Sequence, residues 1–389
     1  MRILQIIANL GQGGAQRMMF NLATHLKRRA VEVAALSLYG PGDWELEKSF
    51  GRENLPVEYL GKRPGFDARM PGRIREAVWS FRPDIVHTHM CLHYVFPALT
   101  GHRPFGHVNT DHATLEYDLR MEHWRFLRWL HRMAYLRGVV PVAVTREIAE
   151  KVIRFNKVRD CIVIPNGIPV AEYRCSDASR RPWRNQHGFQ EEHVLFVCVA
   201  RLSYLKNHAM LLEAFARGPA ARPQAHLLLA GDGELKQALV TRVRELKLQA
   251  KVHFLGLRGD VREVLAASDI FVLASHSEGH SLALMEAMAA GLPAVATAVG
   301  GVPDQLEDEI QGFLVKPGDC DGMAAAMVRL LQDDAERRAM ARAASVRAEE
   351  HFSVTRMAES YVHLYEHILT KRTSIKSERG EMIAAHSTH

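Results

Sequence analysis

Cysteine is scarce: there are five in 389 residues, at Cys91, Cys161, Cys175, Cys198 and Cys320, and no two form a CxxC pair. An odd number of widely spaced thiols excludes a disulfide-stapled secreted scaffold and a thiolate zinc site. Long apolar runs are missing as well. No stretch approaches the ~18 residues that cross a bilayer as a helix, and the longest, such as Val194–Ala200, have strand length. The opening Met1-Arg2-Ile3-Leu4-Gln5-Ile6-Ile7-Ala8 runs straight into a glycine-rich turn instead of a cleavage site. It reads as a first strand, and the expected location is the cytoplasm, with peripheral attachment to the inner membrane left open. What is present is ordinary for a globular chain: 47% hydrophobic and 24% charged residues. The net charge of +6 and the pI near 9.1 suit an anionic ligand, an anionic membrane surface or nucleic acid, and select none of them. Nucleic acid is not among the expected partners.

At roughly 100–200 residues per domain, the length implies two domains. Strand-like apolar runs alternate with helical pattern throughout. Arg2–Ala8, Val31–Leu38, Ile85–Thr88, His107–Thr110 and Val139–Val144 form a first set, and Val194–Ala200, His226–Ala230, Val252–Leu255, Ile270–Leu273 and Ala294–Thr297 a second. Such βαβα alternation predicts α/β architecture with parallel sheets covered by helices. The polar segment Glu172–Glu192 reads as an interdomain stretch, helix-forming sequence runs from Asp334 to Leu369, and 370–389 reads as an aperiodic, disordered tail. In open α/β sheets, ligands bind beyond the carboxyl ends of the strands, near the switch point, and the candidate residues fall there.

The strongest of them lie in Ser275-His276-Ser277-Glu278-Gly279-His280-Ser281-Leu282, after the strand Ile270–Leu273. Glu286 follows Glu278 by eight residues, about 2.2 helical turns, which on one continuous helix is roughly 80° around the axis. The backbone N–H groups of Gly279, His280, Ser281 and Leu282 would be the open donors of a helix start, suited to phosphate and hydroxyl oxygens. Two flanking carboxylates suit a polyol, because they accept hydrogen bonds from sugar hydroxyls. Arg201 and Lys206, just past the strand Val194–Ala200, offer a planar fork and a compact charge to phosphate. Gly13 and Gly14 sit in a turn after the first strand and let a backbone approach a ligand closely. Alone, that turn is equally a dinucleotide site.

Taken in order, these pieces resemble the retaining GT-B glycosyltransferases of family 4, over roughly Met1 to Leu369. Glu278-x7-Glu286 resembles the family's EX7E motif. Val163-Ile164-Pro165-Asn166-Gly167-Ile168, Ala200-Arg201-Leu202 with Lys206, Leu229-Ala230-Gly231-Asp232-Gly233, Gly300-Gly301-Val302-Pro303-Asp304 and Gly11-Gln12-Gly13-Gly14-Ala15-Gln16-Arg17 resemble its other signatures. The chain departs from the usual pattern at Pro169, Asp304, Gln16, His280 and Ser281.

The resemblance implies a GT-B fold, two Rossmann-like domains facing across a deep cleft. Residues 1–170 would bind the acceptor, 190–352 the donor, and a helix at 353–369 would cross back to the first domain. It implies a hexosyltransferase using a UDP- or GDP-sugar and a sugar or lipid-linked acceptor, in bacterial polysaccharide, lipopolysaccharide or glycolipid synthesis. His112, Arg201, Lys206 and Glu278 would act in catalysis. Gly13, Gly14, Asn166, Arg201, Lys206, Gly231, Gly233, Glu278, Gly279, His280, Ser281, Leu282 and Glu286 would hold the donor, Glu278 at the hexose and Glu286 at the ribose. With two cations on the diphosphate, no metal or other cofactor is expected.

Two features stand beside this reading. His87, His89, His93, His102, His107 and His112 cluster in the first half, but no carboxylate or thiol joins them at ligand spacing, so a metal centre is not expected. Residues 116–137 carry five arginines against three acidic residues and include Trp124, Phe126 and Trp129. That suits either an anionic membrane surface or a core-facing helix with a solvated arginine face. The rivals are another GT-B enzyme, such as a sugar-nucleotide epimerase, and a Rossmann-type NAD-dependent oxidoreductase. The latter needs G-x-G-x-x-G, and here Gln16 stands at the third glycine position.

Overall fold

The structure is a computed structural model that describes the chain except residues 12, 43, 66, 100–103, 113–124, 175–176 and 387–389. Cys175 and residues 116–124 of the basic segment therefore lie outside the described residues. The chain divides into two units, Met1–Gly167 with Val354–His389, and Ile168–Ser353.

The first unit is built on a seven-stranded parallel sheet in the order β3-β2-β1-β4-β5-β6-β7. Its strands are β1 Arg2–Ile7, β2 Glu32–Ser37, β3 Val57–Tyr59, β4 Ile85–His89, β5 Gly106–Asp111, β6 Val139–Ala143 and β7 Ile162–Val163. The second unit holds a six-stranded parallel sheet, β10-β9-β8-β11-β12-β13. Here β8 is Val194–Val199, β9 Ala225–Ala230, β10 Val252–Gly256, β11 Ile270–Leu273, β12 Ala294–Thr297 and β13 Gly312–Val315. In both sheets the strand order reverses once, between β1 and β4 and between β8 and β11. These are the switch points of a doubly wound sheet.

Most central strands are apolar throughout, because helices cover both faces of the sheet. Strands β4 and β5, Ile-Val-His-Thr-His and Gly-His-Val-Asn-Thr-Asp, break that rule and are still buried along their length. The helix Val354–His386 belongs to the first unit. Its Met357, Ala358, Tyr361 and Tyr365 are buried in one cluster with Ile3, Met18, Leu22 and Ile85.

Two expectations from sequence need correction. The segment Glu172–Glu192 is no linker. It contains the helix Asp177–Gln186, part of the second unit, where Arg184 is only 1% exposed. Its guanidinium donates to Asp269 Oδ2 at 2.6 Å and to the carbonyls of Ala267, Gln190 and His193. A satisfied arginine is buried at no polar deficit, and an arginine-rich composition alone conceals that. The helix-forming run after Asp334 comprises two helices, Asp334–His351 and Val354–His386. Second, the latter helix continues through residues where an aperiodic tail was expected. The run Lys-Ser-Glu-Arg-Gly-Glu-Met-Ile-Ala-Ala is rich in strong helix formers, so it extends a helix already nucleated without needing an apolar stripe.

Candidate active site

In the second unit, the loops after β8, β9 and β11 interlock through backbone approach. Gly231 has φ +148°, and a Cβ there would lie 2.0 Å from the Ala200 carbonyl oxygen. At Gly233 a Cβ would lie 2.4 Å from the Leu202 carbonyl oxygen. Only glycines let these two turns meet, and the Leu202 N–H donates to the Asp232 carbonyl at 3.0 Å. The loop after β8 is tied to the loop after β11 as well: the His276 N–H donates to the Leu205 carbonyl at 2.8 Å.

This lattice sets Lys206 against Glu278. The ammonium donates to Glu278 Oε1 at 2.6 Å, and the Ser275 hydroxyl donates to the same oxygen at 2.6 Å. Glu278 is 6% exposed and Lys206 half-buried, so the pair sits at the β8/β11 switch point with little solvent on the carboxylate. Gly300, at φ +55°, passes so close that a Cβ there would lie 1.8 Å from the Glu278 carbonyl oxygen. The following Gly301 N–H donates to the Gly279 carbonyl at 2.9 Å.

Glu278 lies outside the helix, which begins at Leu282. The angle of roughly 80° between the two carboxylates, computed for one continuous helix, therefore does not apply. Glu286 is buried within that helix, and its Oε1 accepts from the Tyr173 hydroxyl at 2.8 Å. Ser281 caps the helix, its hydroxyl accepting from the Leu284 N–H at 3.4 Å. The Ser281 N–H, expected to be an open donor, is taken: it donates to Gln305 Oε1 at 2.9 Å, and Gln305 Nε2 returns a bond to the Ser281 carbonyl at 2.9 Å. His280 is buried, which lowers its pKa to about 4 and keeps it neutral. Arg201 stands apart from this group. It is 68% exposed and pairs with Glu234 Oε2 at 3.1 Å.

Tyr173, Ser275 and Gln305 escaped sequence reasoning. Tyr173 lies in the stretch misread as a linker. Ser275 opens the stretch Ser275–Leu282 and Gln305 directly follows the Gly300–Asp304 motif, but neither residue type announces the bond it makes.

In the first unit, the helix Gly14–Arg28 starts after Gly13, in extended conformation. Asn9 Oδ1 accepts from the Gly11 N–H at 3.0 Å and from Gln16 Nε2 at 3.2 Å, folding the glycine loop on itself. Asn166 is buried beside Gly167, whose carbonyl accepts from Asn21 Nδ2 at 3.2 Å.

The histidines form a buried hydrogen-bond network at the β1/β4/β5 edge. His112 Nε2 lies 3.2 Å from His89 Nδ1, and His89 Nε2 lies 3.1 Å from Gln5 Oε1. His87 bonds the Tyr365 hydroxyl and Thr110 Oγ1, each at 2.7 Å. Burial lowers the pKa of His87 and His89 well below the usual range and that of His112 to about 3. These rings are neutral and act as hydrogen-bond groups rather than cations. Beside them, burial raises the Asp111 carboxyl to about 7, against the stabilising bonds from Tyr135 and Asn109.

Comparison with known proteins decides the class. A profile described as Glycosyl transferases group 1 matches residues 179–347, and one described as Glycosyltransferase Family 4 matches residues 12–172. The glycogen synthase of Mycobacterium tuberculosis is 30% identical over 299 residues, which is 74% of this chain and 69% of that protein. The chain belongs to the family 4 glycosyltransferases. The N-acetyl-alpha-D-glucosaminyl L-malate synthase of Bacillus anthracis is 27% identical to this transferase over 313 residues, 79% of this chain and 80% of that one. HepE of Anabaena, solved in complex with UDP-glucose, matches with a TM-score of 0.79 at 21% identity, over 94% of this chain and 100% of its own. That likeness identifies the transferase fold as GT-B.

Proposed function

We propose that this glycosyltransferase moves a hexosyl group from a UDP- or GDP-sugar to a sugar or lipid-linked acceptor, with retention at the anomeric carbon. The setting is synthesis of a bacterial surface polysaccharide, lipopolysaccharide or glycolipid. One observation carries the reading: the Lys206–Glu278–Ser275 group at the β8/β11 switch point, eight residues before the buried Glu286. A lysine beside a carboxylate suits a ligand that is part anion and part polyol. The Lys206 ammonium donates to phosphate oxygens, and the Glu278 carboxylate accepts from hexose hydroxyls. Glu286, oriented by Tyr173, takes the ribose hydroxyls. Arg201 leaves its exposed pairing with Glu234 for the diphosphate, at small cost, because exposed ion pairs contribute little. The UDP and UDP-glucose carried by HepE support a nucleotide-sugar donor.

In the reaction, the bond from the anomeric carbon to the diphosphate oxygen breaks as the bond to the acceptor oxygen forms on the same face. The acceptor proton passes to the departing diphosphate. Negative charge grows on the β-phosphate, where Lys206 and Arg201 stabilise it; preorganised charge of this kind is usually the largest catalytic contribution. These two cations serve in place of a metal or other cofactor. His112, a neutral imidazole with its pKa lowered to about 3, positions a hydroxyl and transfers no proton.

The test is a panel of UDP-, GDP- and ADP-sugars, titrated and turned over by wild type, Lys206→Ala and Glu286→Ala, with the product anomer read by NMR. One donor is expected to bind and react with retention, and both variants are expected to lose it. An inverted product would overturn retention. Binding of no nucleotide sugar would overturn the donor assignment.

A further inference from the structure

Among the described residues, three large exposed apolar side chains gather on the helix Arg125–Leu136. Phe126 is 69% exposed, Trp129 54% and Leu136 61%. At 100° per residue these three lie within one quadrant of the helix. The rings of Phe126 and Trp129 are stacked, with centroids 5.9 Å apart. The opposite face is accounted for: Leu127, Ala134 and Tyr135 are buried in a cluster with Leu92, Phe96, Val139 and Ile148. The exposed stripe is therefore not the side this helix uses to fold.

Its border has one sign of charge. The twelve residues Arg-Phe-Leu-Arg-Trp-Leu-His-Arg-Met-Ala-Tyr-Leu contain three arginines and no aspartate or glutamate. Arg125 and Arg132 lie along one edge of the apolar stripe, with Arg128 beyond them. Aromatic and leucine side chains bordered by guanidinium groups match a surface that is anionic at headgroup depth and apolar just below it. No helix among the described residues is long and apolar enough to cross a membrane, so attachment through this helix would be at the surface.

We infer that the face of Arg125–Leu136 formed by Phe126, Trp129 and Leu136, with Arg125, Arg128 and Arg132 beside it, docks on an anionic phospholipid membrane. The apolar stripe enters the boundary between headgroups and acyl chains, and the arginines hold lipid phosphates. The inference rests on the exposed face, not on the identity of the donor. It bears on the proposed function only in favouring the lipid-linked acceptor over a free sugar.

The experiment uses the full chain and co-sedimentation with two kinds of vesicle, phosphatidylethanolamine mixed with phosphatidylglycerol, and neutral phosphatidylcholine. Wild type is expected to partition to the anionic vesicles and to be released by salt. Phe126→Ser with Trp129→Ser, and Arg125→Glu with Arg128→Glu and Arg132→Glu, are each expected to weaken partition at least ~10-fold. A second readout does not depend on those variants folding. The emission of Trp129, taken as wild type minus Trp129→Phe, should shift to the blue when anionic vesicles are added. Equal binding to neutral vesicles, undiminished binding by the variants, or an unshifted Trp129 would overturn the inference. So would a wild-type dimer in sedimentation velocity that Trp129→Ser converts to monomer, since the face would then join two copies of the chain. Nucleotide-sugar titration of the same proteins separates the two readings: its failure removes the donor assignment and leaves the vesicle result standing.

Discussion

At the scale of the residue, the site depends on side chains whose environment gives them one job. Glu278 accepts from Lys206 and Ser275 on one oxygen, and Glu286 accepts from Tyr173, so each carboxylate is aimed before a ligand arrives. Preorganisation of this kind lowers the ordering cost of binding. The backbone under Glu278 is equally constrained, because Gly300 at φ +55° leaves no room for a Cβ. Gly300→Ala is therefore expected to destabilise the second unit by more than ~1 kcal/mol, through both the strained φ and the collision with the Glu278 carbonyl. Donor affinity should fall with it, and urea denaturation beside donor titration checks both. A variant with wild-type stability and affinity would show that the loop shifts freely. Glu278, Glu286 and Lys206 were legible in the sequence because spacing and strand position are local properties. Tyr173 and Gln305 were not, since each acts on a residue distant along the chain: Tyr173 on Glu286, and Gln305 on Ser281.

At the scale of the element, ten of the strands were legible, most of them as apolar runs, because a doubly covered parallel strand is apolar on both faces; Ile85–His89 and Gly106–Asp111 carry buried polar residues instead. Short edge strands such as Val57–Tyr59 and Gly312–Val315 have too few residues to make such a pattern. The helix Asp177–Gln186 was illegible for another reason: its sequence is polar, and its anchoring residue is a buried arginine. Arg184 makes four well-satisfied sets of bonds to Asp269 and the surrounding carbonyls. Breaking such a pair from one side leaves a buried charge with less compensation. Arg184→Met is expected to cost about 3 kcal/mol of stability. Arg181→Met, at an exposed arginine three residues away, should cost less than ~1 kcal/mol. Equal effects in thermal or urea melts would mean that the buried network contributes nothing special.

At the scale of the whole molecule, burial of histidine couples stability to pH. His87, His89, His112, His208, His226 and His280 all have lowered pKa values in the fold, chiefly through desolvation. Between the folded values, about 3 to 4 where a number is defined, and the unfolded value near 6.5, the unfolded chain binds more protons than the folded one. Their contribution is therefore whole above the unfolded pKa and is lost as pH falls below it. Asp111 acts in the opposite sense. With its pKa raised from 3.8 to about 7, it holds a proton in the fold that the unfolded chain releases, so it favours the fold on acidification. Six histidines outweigh one aspartate, and the urea midpoint is expected to fall from about pH 7 to about pH 5. Asp111→Asn should make that fall steeper, and a flat profile would mean that the histidines ionise freely in the native state. The two-unit α/β architecture was readable from the alternation of elements, and the family from the order of its motifs. The histidine network of the first unit was less so, because bonds such as His89–His112 join segments that are distant in sequence. The central claim is that the second unit holds a nucleotide sugar between Lys206, Glu278 and Glu286. Titration of the UDP-, GDP- and ADP-sugar panel into wild type, Lys206→Ala and Glu286→Ala tests it most directly. The account predicts saturable binding of one donor by wild type and at least ~10-fold weaker binding by each variant. Undiminished affinity in both variants would contradict it.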